Sequence, residues 1–298
     1  MIKQEINELK RLYTPSNCSI TRICGCYVDG EKNKKTEFKE AFLSLPEEEI
    51  FKYFELLRKT LSGSLGKNLL NLDFPLASEQ EGGTQAALLA LRDSKLKDDA
   101  LIEEFYDRVI NTYEYVGNYL ILLIHDAYDV PGKTTDGLTM DDASDTVFEY
   151  IMCCICPVNL SKPGLSYDNI NNEFHNRIRD WVVEMPETGF LFPSFNDRAT
   201  DIHSTLFYSK NPEEAHSEFV ENILGCTMPL SAGTQKEAFQ ALIEETLGDE
   251  VEYEVVKNIH ENLTEMIEEH KEIPEPLTLD KHQVKSLFEK SGVKVELA

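Results

Sequence analysis

The chain of 298 residues has a mass of 34.0 kDa, room for one large domain or two modest ones. Apolar types make up 41% and charged residues 28%, a globular composition that excludes wholesale disorder. With 29 Lys and Arg against 54 Asp and Glu, the formal charge is −25, which argues against a broad basic face for nucleic acid or an anionic membrane.

Ile2, Ile6, Leu9 and Leu12 recur at helical spacing, and Pro15 closes that segment. Ser19 to Val28 reads as a strand ending in an Asp29-Gly30 turn. A second strand through Phe38–Leu45 completes the expected hairpin across a Lys-rich loop. Pro46 followed by three glutamates starts a helix whose stripe is Ile50, Phe51, Phe54, Leu57 and Leu61. A short strand at Leu69–Phe74 and helices near Gln85–Arg92 and Asp98–Tyr115 come next. Asn118–Ile124 is apolar throughout and reads as a buried central strand. Further strands are expected at Thr146–Val158 and near Trp181–Glu184, Gly189–Phe192 and Ile202–Tyr208. After Asn211 the apolar period becomes helical, with helices from Pro212 to Gly225 and near Thr234–Leu247, Glu252–Glu269 and Asp280–Ser291. The expected fold class is α+β: a mixed domain over 1–210 with an antiparallel or mixed sheet and helices, followed by an all-helical C-terminal region over 211–298.

No apolar run approaches the ~20 residues of a membrane span. The N-terminus lacks the apolar core of a signal peptide, so a cytoplasmic protein without membrane contact is expected. Seven cysteines, an odd number, argue for reduced thiols. Gly63-Ser-Leu-Gly-Lys67-Asn68 fails as a phosphate loop, because Leu61 and Asn68 stand where Gly and Ser or Thr are needed. Cys24-Gly-Cys26 and Cys153-Cys154-Ile-Cys156 could together offer four thiolates to zinc or an iron–sulfur cluster, but on strands they read as core residues. Arg198 reads as the partner of Asp197 or Asp201 in a buried ion pair. No catalytic residue, metal ligand or cofactor is assigned.

Four segments, Ile23-Cys-Gly-Cys-Tyr-Val28, Lys59-Thr-Leu-Ser-Gly-Ser-Leu-Gly-Lys-Asn68, Gly117-Asn-Tyr-Leu-Ile-Leu-Leu123 and Asn172-Glu-Phe-His-Asn-Arg177, closely resemble a bacterial family described only as a domain of unknown function. The resemblance runs over essentially the whole chain and implies no activity. A more distant pattern is similar to the YejK/NdpA-type nucleoid-associated proteins. It rests on the hairpin running into a Pro-started helix over Ile20–Leu61, the Gly117–Ile124 strand, and the segments Phe219–Gly225 and Gln235–Ile243. That likeness implies nucleoid association and a non-enzymatic role.

The expected function is therefore a nucleoid- or nucleic-acid-associated binding protein acting through DNA or DNA-bound proteins. The alternative is a metal-dependent hydrolase built on Glu173, His175, Asp201 and His203, with Asp201 and His203 on one strand face. Residues 1–75 hold 12 Lys and Arg against 11 Asp and Glu, so weak, salt-sensitive DNA contacts are expected there, at Arg22, Lys32, Lys34, Lys35, Arg58, Lys59 and Lys67. Residues 211–298 hold 7 against 20, and Glu261, Glu265, Glu268 and Glu269 are the expected landing site for a basic protein partner. A homodimer is left open.

Overall fold

The computed structural model describes residues 1–80, 82–133, 139–140, 146–212, 216–229, 253–270 and 281–290. The chain divides into two compact units, Met1–Met228 and Pro229–Ala298.

The first unit is α+β, built on a large antiparallel sheet. Its strands are β1 (Arg22–Val28), β2 (Lys34–Ala41), β3 (Leu69–Asp73), β4 (Asn118–Val130), β5 (Gly132–Lys133), β6 (Thr139–Met140), β7 (Thr146–Leu160), β8 (Leu165–Asp168), β9 (Glu173–Asn176), β10 (Trp181–Val183), β11 (Thr188–Phe192), β12 (Ser194–Asn196), β13 (Ala199–Asp201) and β14 (Ser204–Ser209). The main sheet runs β2-β1-β4-β7-β11-β14-β3, and β10 pairs with the end of β7. Three two-stranded ribbons, β5-β6, β8-β9 and β12-β13, stand outside it. The β4–β7 pair is its spine, in register from Asn118↔Val158 to Val130↔Thr146.

Helices cover both faces. α1 (Lys3–Lys10) and α2 (Glu47–Thr60) bring Ile6, Leu9, Phe54 and Leu57 against Leu122, Ile124, Met152 and Cys154. α3 (Thr84–Asp93), α4 (Asp99–Thr112) and α5 (Ser217–Phe219, continued by a wide turn to Leu224) bring Leu88, Phe105, Val109 and Phe219 against Ile121, Leu123, Cys153 and Phe190. Successive residues of a strand face opposite ways, so a strand sandwiched between two helical layers must be apolar at every position. That is why the Tyr119–Ile124 run contains no polar residue.

The local signals are physical. Asp98 caps α4, its Oδ1 accepting from the Ala100 and Leu101 amides at 2.9 and 3.3 Å. Gly225 ends the α5 turn at φ 72°, the left-handed conformation that glycine adopts without a Cβ penalty. The second hairpin strand departs from the expectation: β2 is Lys34–Ala41, and Phe42–Ser44 is a short 3₁₀ turn. Asp29 shortens the loop, its Oδ1 accepting from the Glu31 and Asn33 amides at 3.0 and 2.9 Å while Lys32 turns left-handed at φ 63°. Lys34 and Lys35 thereby become strand residues.

In the second unit α6 (Tyr253–His270) and α7 (Lys281–Lys290) are described and pack on one another. They fall where two of the expected C-terminal helices were placed. The expected helix at 234–247 lies outside the described residues, so an all-helical C-terminal region is not part of the structure described.

Gly189 tests the close packing of sheet and helix. A Cβ there would sit 2.4 Å from the Cys153 carbonyl oxygen and 2.9 Å from Thr60 Cγ2. Gly189→Ala is expected to cost about 1–3 kcal/mol, read as a lower urea midpoint at unchanged m-value.

Candidate functional site

The seven expected DNA-contact residues do not gather on one face. Arg22, Lys32, Lys34 and Lys35 belong to the β1–β2 hairpin at one edge of the sheet, while Lys67 precedes β3 at the opposite edge. Arg58 and Lys59 end α2. Several are already engaged. Lys34 Nζ lies 2.6 Å from Glu103 and 2.8 Å from Asp107, on the same α4 stripe whose Asp99 takes Lys39 at 3.0 Å. Partial burial disfavours the Lys34 ammonium, but hydrogen bonds to Asp107 and Glu103 outweigh it and raise its pKa. Lys35 pairs with Asp29 at 2.7 Å, and Arg58 Nη2 donates to the Tyr13 carbonyl at 2.7 Å. Lys32, Lys59 and Lys67 form no ion pair among the described residues. On α6, Glu261 and Glu265 are exposed and Glu261 lies 3.8 Å from Lys257. Glu268 and Glu269 belong to the same helix, and their side chains lie outside the described residues.

The two metal-site ideas meet obstacles in the backbone. Cys24, Cys26 and Cys153 face the α4 side, whereas Cys154 and Cys156 face the α2 side. All seven cysteines are free, and burial pushes the Cys26 and Cys154 thiols up to about 12, so they stay protonated. Asp201 ends β13, but His203 lies in the turn beyond it, not on the same strand face. The His203 amide donates to Asp201 Oδ1 at 3.0 Å, while its imidazole meets Glu79 at 2.8 Å. Glu173 and His175 sit exposed on β9. Among the described residues, no three His, Cys, Asp or Glu side chains converge on a metal-sized site. Arg198 also departs from expectation, binding Glu8 at 2.7 Å and the Pro131 carbonyl at 2.8 Å, not Asp197 or Asp201.

That Arg198–Glu8 pair lines a cleft of about 790 Å³ beside α1, with Arg11, Ser19, Tyr128 and Asp129. Tyr128 also donates to Glu8, at 2.8 Å, so Glu8, Arg198 and Tyr128 bind one another on its wall. Behind it, buried Asp126 accepts from Tyr150 Oη at 2.7 Å and the Ala127 amide at 2.8 Å. Burial raises its pKa, partly offset by hydrogen bonds from Ser19 and Tyr150. The neighbouring His125 is fully buried, and burial lowers its pKa to about 4. Its Nδ1 meets Thr21 Oγ1 at 3.0 Å, and its Nε2 has no hydrogen-bond partner among the described residues. Consecutive strand residues face opposite sides, so Asp126 and His125 cannot act as one acid–base pair.

The feature that the fold does not absorb is the segment 161–183. Its β8–β9 hairpin pairs Leu165↔Asn176 through Asp168↔Glu173. Leu165, Tyr167 and Phe174 share one face, and the Tyr167 and Phe174 rings lie 5.2 Å apart. Asp168 fixes the turn, accepting from the Ile170 amide at 2.8 Å and from Asn171 Nδ2 at 2.7 Å. Tyr167 Oη donates to Asn172. The pattern is inverted relative to an ordinary surface ribbon: Ser166 and Asp168 are half-buried, while Leu165, Tyr167 and Phe174 are exposed. Ile170, Ile178 and Trp181 are exposed too, and Trp181 pairs β10 with Leu160 of β7 at the base of the arm. The sequence alone suggests a strand carrying Glu173 and His175 and another near Trp181–Glu184, without the hairpin that joins the first to Leu165–Asp168. The alternation Leu165-x-Tyr167 and Phe174-x-Asn176-x-Ile178 around an Asp-Asn turn was the available signal.

A family model described as a domain of unknown function (DUF4317) matches residues 1–298, and the chain belongs to that family. No curated protein and no solved structure matches it significantly, so the YejK/NdpA-type likeness has no support from these comparisons. No helix among the described residues is long and apolar enough to cross a membrane.

Two outcomes follow from these assignments. Lys34→Glu places a fourth acid among Glu37, Glu103 and Asp107 and is expected to lose about 1–2 kcal/mol of stability, whereas Lys32→Glu stays within about 0.5 kcal/mol, both read from urea midpoints. For His125, the unfolded imidazole titrates near 6.5 and the folded one near 4, so the unfolded chain takes up a proton that the folded chain refuses. Its contribution to stability is constant above pH 6.5 and falls by about 3 kcal/mol as pH drops to about 4. His125→Asn, which can keep a bond to Thr21, should flatten the stability-against-pH curve over that window. A slope unchanged from the parent would contradict it.

Proposed function

We propose that this protein is a non-enzymatic binding protein that docks other macromolecules through the arm at 161–183, and that it works in the cytoplasm at the nucleoid, through DNA or DNA-bound protein. The observation that carries the reading is the exposed apolar face of the β8–β9 hairpin. An isolated two-stranded hairpin is marginal in water, and exposed contiguous apolar surface marks interaction sites. The aliphatic residues Leu165 and Ile178 suit a protein surface better than stacked bases. Asp168 and Glu173 at the tip oppose phosphate. The direct contact in this reading is protein. Lys32, Lys59 and Lys67, which form no ion pair among the described residues, supply weak, salt-sensitive DNA contacts, and the acidic α6 surface around Glu261 and Glu265 receives basic partners. A helical region over 211–298 following a mixed domain over 1–210 belongs to the same reading.

The test is affinity capture from cells, with and without nuclease, of the parent chain and of Leu165→Ser/Phe174→Ser. The reading expects proteins captured by the parent despite nuclease and lost from the variant. Capture of the same proteins by both chains would overturn it.

A further inference from the structure

Extending the DNA contacts of that reading, we infer that Lys10, Arg58 and Lys59 form a phosphate-binding site where the C-terminal ends of α1 and α2 meet. It would take a phosphate of a nucleic-acid backbone or a free phosphate. Lys10 lies in the last turn of α1, and Arg58 and Lys59 lie in the last turn of α2. Hydrogen bonds join the two ends. Lys10 Nζ donates to Ser62 Oγ at 2.8 Å, and Ser62 Oγ donates to the Arg58 carbonyl at 2.5 Å. Arg58 is fixed from its other side, Nη2 donating to the Tyr13 carbonyl at 2.7 Å. In the sequence Lys10 is an ordinary helix residue, and only the fold brings it to Arg58 and Lys59.

Charge selects the ligand. The three cations form no ion pair among the described residues, in a chain whose formal charge is −25. Burial lowers the Lys10 pKa, and the charges of Arg58 and Lys59 lower it further. The acids nearest along the two helices are turned elsewhere, Glu8 to Arg198 at 2.7 Å and Glu55 to Lys52 at 3.3 Å. Arg58 Nε is buried with no hydrogen-bond partner among the described residues. Each helix C-terminus supplies roughly half a negative charge, so the two ends offset about one of the three cations. The surplus of about two positive charges matches a phosphate, which carries about one negative charge as a diester and up to about two as a monoester. Lysine binds such a group as a point charge and arginine as a planar donor. The glycine-rich stretch that follows does not cradle it with free amides. There the Gly66 amide donates to the Leu69 carbonyl at 2.8 Å, and the Lys67 and Asn68 amides donate to the Ser64 carbonyl at 3.1 and 3.0 Å. The site therefore reads charge through side chains and does not form a nucleotide loop.

Lysine acetylation by a limiting reagent, mapped by mass spectrometry on the purified, nuclease-treated full chain, tests the inference. Inorganic phosphate, a short DNA duplex, and chloride at the same ionic strength are compared. Phosphate and duplex are each expected to slow acetylation of Lys10 and Lys59 several-fold and to leave Lys32 unchanged, while chloride does neither. In the duplex arm, Lys10→Gln keeps a donor for Ser62 and is expected to make the slope of log Kobs against log salt shallower by about 1. Far-UV circular dichroism verifies folding of that variant, and labelling of the parent keeps the test decisive should it misfold. Protection of Lys10 and Lys59 by phosphate alone would support the site and make free phosphate its source. Protection by chloride to the same extent, or no protection by either phosphate source, would overturn the inference. A duplex that protects Lys32 as strongly as Lys10, with the slope unchanged in Lys10→Gln, would refute the site and leave the DNA reading standing. A duplex that protects no lysine, while phosphate still protects Lys10 and Lys59, would refute the DNA contacts and leave the site standing.

Discussion

The long antiparallel pairing of β4 with β7 is the constraint on which the rest of Met1–Met228 depends. Both strands are buried on both faces through their middle, from Tyr119 to Ile124 and from Tyr150 to Cys156. A sheet without a solvent face must be covered by helices on each side, and α1–α2 and α3–α5 supply those layers. Five of the seven cysteines belong to this sheet as small apolar residues, alternating between the two cores with Ile, Leu and Met. Their chemistry is packing: burial keeps the thiols protonated, and the sheet separates them.

The same constraint accounts for where the charge goes. With the sheet faces closed, the charged residues of the main sheet, among those described, lie on its β2 and β3 edges and towards the ends of β1, β4 and β7. At the β2 edge, Lys34 and Lys39 meet the acidic stripe Asp99, Glu103 and Asp107 of α4. At the end of β4, Asp126 and His125 are drawn into opposite faces, each partnered locally, by Tyr150 and Thr21. These polar groups are consumed in holding the layers together. The arm is the contrary case. There the apolar residues point to solvent and the hydrogen bonds close within the segment. Its place at the far end of β7, where β10 adds a short strand beyond β11, follows from β7 outrunning its neighbour.

Composition and period carry most of this architecture. The continuous apolar run of β4 announces a doubly covered strand, and the Pro-started stripe of α2 and the Asp98 cap of α4 announce helices. The β2 strand is harder to read, because its lysines look like loop until the Asp29 turn is seen to close after Asn33. Partners across the chain are not legible at all. Nothing near Arg198 in sequence names Glu8, and nothing near Lys34 names Glu103 and Asp107, because the closing distances are set by how the layers stack. The arm is legible in its alternation but not in its orientation. Period two says that Leu165, Tyr167 and Phe174 share a face, and only the fold says that this face is open.

An uncovered hairpin of four-residue strands is marginal on its own, so its ladder should open freely unless a partner lies on it. Amide hydrogen exchange of residues 165–176, compared between the purified, nuclease-treated chain alone and the same chain with its captured protein partners bound, is therefore the most direct measurement. The account predicts fast exchange in the chain alone that becomes slow with partners bound, while β4 and β7 stay protected throughout. Exchange of the arm that is equally fast in both would contradict it.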